Sequence, residues 1–320
     1  MKVFIRPYSM KSPDKFPFPT NHSLVLFDAY HYLHRSYHAL PPLMNKQGQN
    51  VGAVYGFART ILKLLKKLKP AYFAVCWDAK PQYRLAIDPE YKANRPETPD
   101  DLRTQIGLAR RLVSLWRLPE LSAEGHEADD LMASMAAQAA ALGVRAVLVS
   151  SDKDLMQTVG ESVSVYLEHK EEWMDAAKVE AKYGVPPGRL TDYFALVGDA
   201  TDNIPGICGV GPKTALSLLE KFANVEALCR ACLDPMASLP DKIRAQILGD
   251  PERLRANKLL VTLKTDISLN LGPRDLCLPE RTGDEFRQFL VELGFVSLLN
   301  DLKALGWMGE RAAGEGETGR

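Results

Sequence analysis

Acidic residues stand in this chain at positions from which they can converge. Asp28 follows the apolar run Leu24-Val25-Leu26-Phe27, Asp78 follows Tyr72–Trp77, and Asp152 and Asp154 follow Ala146–Val149. Glu127, Asp129 and Asp130 open the segment EADDLMASMAAQAAAL, and Asp199 and Asp202 lie just ahead of a glycine-rich stretch. Singly, an aspartate after a strand is often a turn residue, and acids in a first helical turn are often caps. Together they read differently, because so many carboxylates in one crevice repel and raise each other's pKa. Such a cluster persists as anions only around cations, and all-oxygen ligation without His or Cys selects hard ions, Mg²⁺ or Mn²⁺. Two such ions about 4 Å apart serve in-line attack on a phosphodiester, one activating water and the other stabilising the leaving oxygen.

The elements that must position these acids are legible as patterns. The three short apolar runs predict strands buried on both faces of a parallel sheet, whose carboxyl ends line a single ligand-binding edge. Phe57, Ile61, Leu64, Leu65 and Leu68 share one side of a helix over 54–68. A second helix over 127–142 stops at Gly143, with Glu127 and Asp130 sharing a face in its first turn. The fold class is therefore α/β, a mostly parallel central sheet flanked by helices, over residues 23–197. Within it, KPQYRLAIDPEYKANRPETPD (80–100) reads as a long charged excursion over the surface, where Arg84, Lys92 and Arg95 are candidates to hold a phosphate. The stretch GDATDNIPGICGVGPKTALSLLEKF begins a mainly helical region over 198–304. It has neither the spacing of a Walker loop nor a strand before it. Instead Gly206, Gly209 and Gly211 lead into a helix with Pro212 in its first turn, exposing backbone N–H groups beside Lys213 and Thr214 as a phosphate site. Residues 1–22 read as an N-terminal extension and 305–320 as a polar tail.

Composition narrows the classes. Of 320 residues, 40 are Lys or Arg and 40 are Asp or Glu, so the formal net charge is zero and a uniformly basic coat protein is excluded. No apolar run approaches the roughly 20 residues of a membrane helix, and the N-terminus lacks the apolar stretch of a secretory signal. Five cysteines at scattered positions suit a reducing compartment, and the expectation is a cytoplasmic protein. His31, His34 and His38 have spacings that permit shared ligation, but exposed or cap-region histidines are commoner. Cys229 and Cys232 form a lone CxxC without a second pair and read as helix core. Tyr32 and Tyr37 read as core, and Lys63, Lys66, Lys67 and Lys69 as a solvated helix face with DNA contact as the alternative.

The motifs LVLFDAYHYLHRSYHAL, AVYGFART, WDAKPQYR, EYKANRPETPDDLRTQI, EGHEADDLMAS, SSDKDLMQTV and GDATDNIPGICGVGPKTALSLL run from about residue 23 to 304. They resemble the 5′-nuclease domain of bacterial DNA polymerase I and its phage and flap-endonuclease relatives. The resemblance implies a PIN-like core, either as a free-standing 5′–3′ exonuclease or as a piece of a larger chain. It implies one divalent ion among Asp28, Asp78, Glu127 and Asp129, with Asp130 adjacent, and a second among Asp152, Asp154, Asp199 and Asp202. Lys92 and Arg95 are similar to basic residues of a helical arch that passes a single-stranded 5′ end, and Arg84 to a phosphate contact at its base. Gly206–Ala215 resembles a helix–hairpin–helix that grips duplex DNA, where backbone carbonyls can hold K⁺. The implied enzyme is a monomer acting in DNA replication and repair on DNA with a 5′ flap, a nick or a single-stranded 5′ end. Every acid position of the pattern is filled here, which favours an active nuclease over its rival, a DNA-junction binding module without chemistry. A small-molecule phosphohydrolase would need Asp-x-Asp on the first strand, where Asp28 is followed by Ala29-Tyr30.

Overall fold

The computed structural model describes residues 22–307, so most of the expected extension and tail lies outside the described residues. The chain begins with β1 (Ser23–Asp28), α1 (Ala29–Ala39), α2 (Gly52–Leu68) and β2 (Tyr72–Cys76). It continues through α3 (Gln82–Ile87), α4 (Asp100–Trp116), β3 (Glu120–Leu121), α5 (Ala128–Ala141) and β4 (Arg145–Val149). The strands β5 (Val163–Leu167) and β6 (Glu172–Met174) follow, then α6 (Ala176–Tyr183) and α7 (Leu190–Val197). A two-stranded ribbon, β7 (Gly198–Asp199) and β8 (Ile204–Pro205), precedes α8 (Pro212–Lys221), α9 (Val225–Cys232), α10 (Asp241–Gly249) and α11 (Pro251–Val261). The last helices are α12 (Asp284–Glu292) and α13 (Val296–Ala304).

The central sheet has the order β3-β2-β1-β4-β5-β6, parallel throughout except for the antiparallel edge strand β6. From β1 the chain builds outward to β2 and β3 on one side, then returns to lay β4 and β5 on the other. The order therefore reverses between β1 and β4, which is where open parallel sheets open a crevice beyond their carboxyl ends. The expected strands form as read, because alternate residues of each run face two different cores. Leu24, Leu26, Ala74, Cys76, Ala146 and Leu148 face α5 and, beyond it, the core of α7–α11. Val25, Phe27, Phe73, Val75, Val147 and Val149 face α1, α2 and α4.

Three expectations change in detail. The excursion over 80–100 is folded down onto the body: α3 packs on α11, Tyr91 is buried, and α4 begins at Asp100. Residues 284–304, grouped from the sequence with the helical C-terminal region, pack as α12 and α13 on the far side of the sheet, where Phe286 stacks on Trp116 with ring centroids 5.2 Å apart. The lysines of α2 are paired: Lys63 with Glu168 and Glu171, Lys67 with Glu171, and Lys66 with Asp301. Tyr32 is core, stacked on Phe27, and Cys229 and Cys232 are free thiols on α9, as expected.

Candidate metal centre

Beyond the carboxyl ends of β1, β2 and β4 lies a cavity of about 760 Å³, walled by Asp28, Asp78, Glu127, Asp129, Asp152, Asp199 and Asp202. Each acid is aimed by local backbone structure. Asp28 is the N-cap of α1, its Oδ1 accepting the His31 N–H at 3.0 Å, while Oδ2 accepts the Ser150 hydroxyl at 2.8 Å across the β1–β4 gap. Asp78 Oδ1 accepts the Ala128 N–H at 2.6 Å and so meets the N-terminal end of α5. After β4, Asp152 N–H donates to Ser150 Oγ at 3.1 Å and Asp152 Oδ1 accepts the Asp154 N–H at 2.8 Å, a tight turn that turns both carboxylates inward. Asp199 ends β7 and accepts from Thr201 N–H at 3.0 Å and Lys153 Nζ at 2.9 Å.

Burial is the largest influence on several of these carboxyls. It pushes Asp28 up to about 7, helped by the nearby Asp78 charge. Asp78, Asp129, Asp152 and Asp154 are likewise raised first by burial, with neighbouring carboxylates adding to the effect. The positive charges within reach come from the folded-down excursion, from the turn after β4 and from Arg35 of α1. Arg95 Nη2 lies 2.6 Å from Asp202 Oδ1, and Lys92 Nζ lies 3.5 Å from Asp202 Oδ2 and also bonds Glu127. Burial disfavours the Lys92 ammonium, but Glu127 and Asp202 outweigh it and its pKa is raised. Tyr91 places its single hydroxyl 3.0 Å from Glu127 Oε2 and 3.1 Å from Asp202 Oδ2, bridging the two halves of the acid set.

The donor set fits hard divalent ions. Among the described residues, Asp154, Asp199 and Asp202 each offer an oxygen within 4.8 Å of the others. Asp129 Oδ1 and Asp154 Oδ1 are buried without any hydrogen-bond partner, an arrangement costly for a carboxylate unless a cation meets it. His31, His34 and His38 line the same cavity from α1, but they join no such three-ligand group among the described residues.

Two candidate residues have a different place from the one expected. Arg84 is 3% exposed, so it offers no phosphate contact. Its guanidinium bonds Asp130 at 2.8 Å, Glu127 at 3.1 Å and the Leu260 carbonyl at 2.8 Å, fastening α3 to the end of α11. Asp130 is correspondingly turned away from the cavity and also accepts the Lys264 N–H at 2.9 Å. Glu127 and Asp130 do share a face, as the spacing predicted, and that face belongs to Arg84; Asp129, one position round the helix, points to the cavity wall. Arg84→Ala strips a buried carboxylate of its partner and is expected to destabilise the fold by about 3–5 kcal/mol, readable as a lowered urea midpoint.

The glycine-rich turn takes the shape its residues allow. Gly206 packs on the Val197 backbone, where a Cβ would come 2.4 Å from the carbonyl carbon, and Gly209 has a φ of +81°. Gly211 caps α8, Pro212 fills its first position, and Lys213 is exposed beside the free amides of that end. Sequence reasoning passed over Tyr91, Lys153, Asn94 and Asn203. Tyr91 carried a usable signal in standing next to Lys92, whereas the roles of the asparagines depend on contacts between distant segments.

Comparison with known proteins agrees with this geometry. Residues 23–184 match the family described as 5′-3′ exonuclease, N-terminal resolvase-like domain, and residues 185–284 match 5′-3′ exonuclease, C-terminal SAM fold. The chain belongs to the 5′–3′ exonuclease family. A family relative, the 5′-3′ exonuclease of Aquifex aeolicus (strain VF5), is 37% identical over 281 residues, which are 88% of this chain and 95% of that one. The thermostable DNA polymerase I of Thermus filiformis is 40% identical over 286 residues, 88% of this chain but 33% of the polymerase. Among solved structures, T5 D15 protein co-crystallised with metal ions superposes with a TM-score of 0.64 at 20% identity, covering 88% of this chain and 98% of that one. The catalytic core of Rad2 in complex with DNA substrate gives a TM-score of 0.57 at 16% identity, covering 89% and 92%. The fold is thus that of the PIN-like nucleases, as the motifs implied. No helix among the described residues is long and apolar enough to cross a membrane.

Proposed function

We propose that the chain is a Mg²⁺-dependent, structure-specific 5′ nuclease, with Mn²⁺ able to substitute. It hydrolyses DNA at 5′ flaps, nicks and single-stranded 5′ ends as a monomer, leaving 5′-phosphates. The observation that carries this reading is the single cavity in which acids from separate segments meet Lys92 and Arg95. Asp28, Asp78, Glu127 and Asp129 would hold one ion and Asp152, Asp154, Asp199 and Asp202 the other. When bound, the ions supply charge to offset the carboxylates and Lewis acidity toward water and the leaving 3′ oxygen.

The chain's own groups do the rest. Lys92 and Arg95, now spent on Glu127 and Asp202, become available to a DNA phosphate once those carboxylates are otherwise neutralised. Lys153 keeps Asp199 directed inward, and Tyr91 holds Glu127 and Asp202 at a common distance. The open amides at the N-terminus of α8, with Lys213 and Thr214, would grip duplex phosphates without reading bases, and the turn carbonyls near Gly206 and Gly209 would suit K⁺. Specificity then rests on junction shape.

The deciding experiment is cleavage of a 5′-labelled flap duplex in Mg²⁺ and in EDTA, with binding measured in Ca²⁺. Mg²⁺-dependent release of short 5′ fragments near the junction supports the nuclease; tight binding without cleavage in Mg²⁺ or Mn²⁺ leaves a junction-binding module. Lys92→Ala is expected to lower single-turnover cleavage about 10²-fold, with the far-UV circular dichroism spectrum unchanged; an unchanged rate removes Lys92 from the mechanism.

A further inference from the structure

The excursion and the ribbon tip are joined by more than ion pairs. Asn94 Nδ2 donates to the Ala200 carbonyl at 2.7 Å, and Asn203 Nδ2 donates to the Glu90 carbonyl at 2.7 Å, so each segment's amide grips the other's backbone. Between these two bonds the Lys92 N–H donates to the Asp202 carbonyl at 3.0 Å. Lys92 and Asn203 both sit in left-handed backbone, with φ of 59° and 57°. Asparagine visits that region readily, but lysine does so at a cost of about 1–2 kcal/mol, and such a residue persists only where its surroundings over-determine it. Here the surroundings are the two amide bonds, and the result is a Lys92 side chain aimed between Glu127 and Asp202. From behind, the ribbon is fixed where Gly198 and Gly206 approach so closely that no Cβ fits.

The two kinds of fastening respond differently to divalent ions. The ion pairs of Lys92 and Arg95 with Glu127 and Asp202 use the very oxygens that an ion would take. The Asn94 and Asn203 bonds use neutral amides and backbone carbonyls, so metal charge does not compete for them. We infer that Asn94 and Asn203 are positioning residues of the reaction, locking the ribbon tip to the excursion so that Asp199 and Asp202 stay in place for ions and Lys92 and Arg95 keep their spacing from them when ions enter. The inference rests on the nuclease reading above, and neither asparagine side chain need touch substrate or metal.

Three variants separate this role from packing. Asn203→Gly keeps the left-handed backbone at no steric cost and removes only the amide. Asn94→Asp keeps the shape and replaces the donor with an acceptor facing the Ala200 carbonyl, and Asn94→Ala removes the group. Mn²⁺ affinity is titrated on the DNA-free protein by calorimetry, and kcat and KM are measured on a 5′-flap duplex in Mg²⁺. Each variant is expected to bind Mn²⁺ about 10-fold more weakly and to lose about 10–100-fold in kcat, with KM within about 3-fold of wild type and the metal-free melting temperature unchanged. Asn94→Asp should be no better than Asn94→Ala. Wild-type Mn²⁺ affinity and kcat in Asn203→Gly and Asn94→Asp would overturn the inference, as would restoration of both by Asn94→Asp, or a metal-free melting temperature that falls in step with them. A wild-type protein that binds Mn²⁺ but cuts no flap would instead remove the nuclease reading, leaving the Mn²⁺ titration to judge the junction.

Discussion

Asp202→Ala is expected to lower single-turnover cleavage of a flap duplex by about 10³-fold or more, with binding of that duplex in Ca²⁺ within about 3-fold of wild type. The expected size follows from losing several kcal/mol of charge stabilisation in the transition state, where about 4 kcal/mol is 10³ in rate. The contrast between the two readouts follows from position. Asp202 is buried at the ribbon tip and bonds Tyr91 and Arg95, so it faces the excursion and the cavity rather than open solvent. Removing it would delete one of the proposed ligands and free positive charge, which favours a phosphate if it does anything to binding. Asp154→Ala should behave likewise, since its Oδ1 is buried with nothing to bond and its carboxylate stands with Asp199 and Asp202. Asp130→Ala is the informative contrast: its carboxylate serves Arg84, so its loss should appear first in the urea midpoint. Cleavage and binding lost together in Asp202→Ala, with far-UV circular dichroism intact, would count against a ligand role.

The second large effect is a pH-dependent response to metal. Asp28 is raised from 3.8 to about 7 in the folded state, first by burial and then by Asp78. A carboxyl whose folded pKa exceeds its unfolded one gives stability that is fully present below the unfolded value and is lost as pH rises through the folded value. The metal-free protein is therefore expected to weaken between about pH 4 and pH 7, by a few kcal/mol on the order of three pKa units. The half-buried acids Asp78, Asp129, Asp152 and Asp154 are shifted in the same direction and add to the loss. Divalent ions replace the protons, so the rise in melting temperature on adding Mg²⁺ should be larger at pH 8 than at pH 5.5, by about 5 °C or more. Thermal melts in EDTA and in Mg²⁺ across that range measure it directly. A metal-free protein equally stable at pH 5 and pH 8, or a rise independent of pH, would show that the acids carry no net strain.

What could be read from the chain before its structure was known follows a physical divide. The strands β1, β2 and β4 were legible because a strand buried on both faces is written as a continuous apolar run. The two-residue β3 and the three-residue edge strand β6 are too short to carry a period. The convergence of Asp28, Asp78 and Asp152 on one cavity was legible because carboxylates following parallel strands share an edge by construction. Which of Asp129 and Asp130 faces the cavity was not, since adjacent residues on a helix point about 100° apart and the partners that hold Asp130 away, Arg84 of α3 and the Lys264 N–H, lie far off in the chain. Arg84 itself read as a surface cation because nothing local announces that α11 will cover it. Asn94 and Asn203 likewise meet backbone carbonyls more than a hundred residues away.

The placement of α12 and α13 bears on how the molecule is made. The sheet's second core, with Trp116, Leu112 and Ile61, also takes in Phe286, Phe289, Leu290 and Leu298 from α12 and α13. A ribosome adding residues in order therefore produces the acid-bearing strands long before the apolar layer beside them can be sealed. The nascent chain carries an open apolar face until residues 286–298 have been made, and contacts of such long sequence separation form late. Residues that match no part of the cavity thus set the moment at which the cavity's scaffold becomes complete.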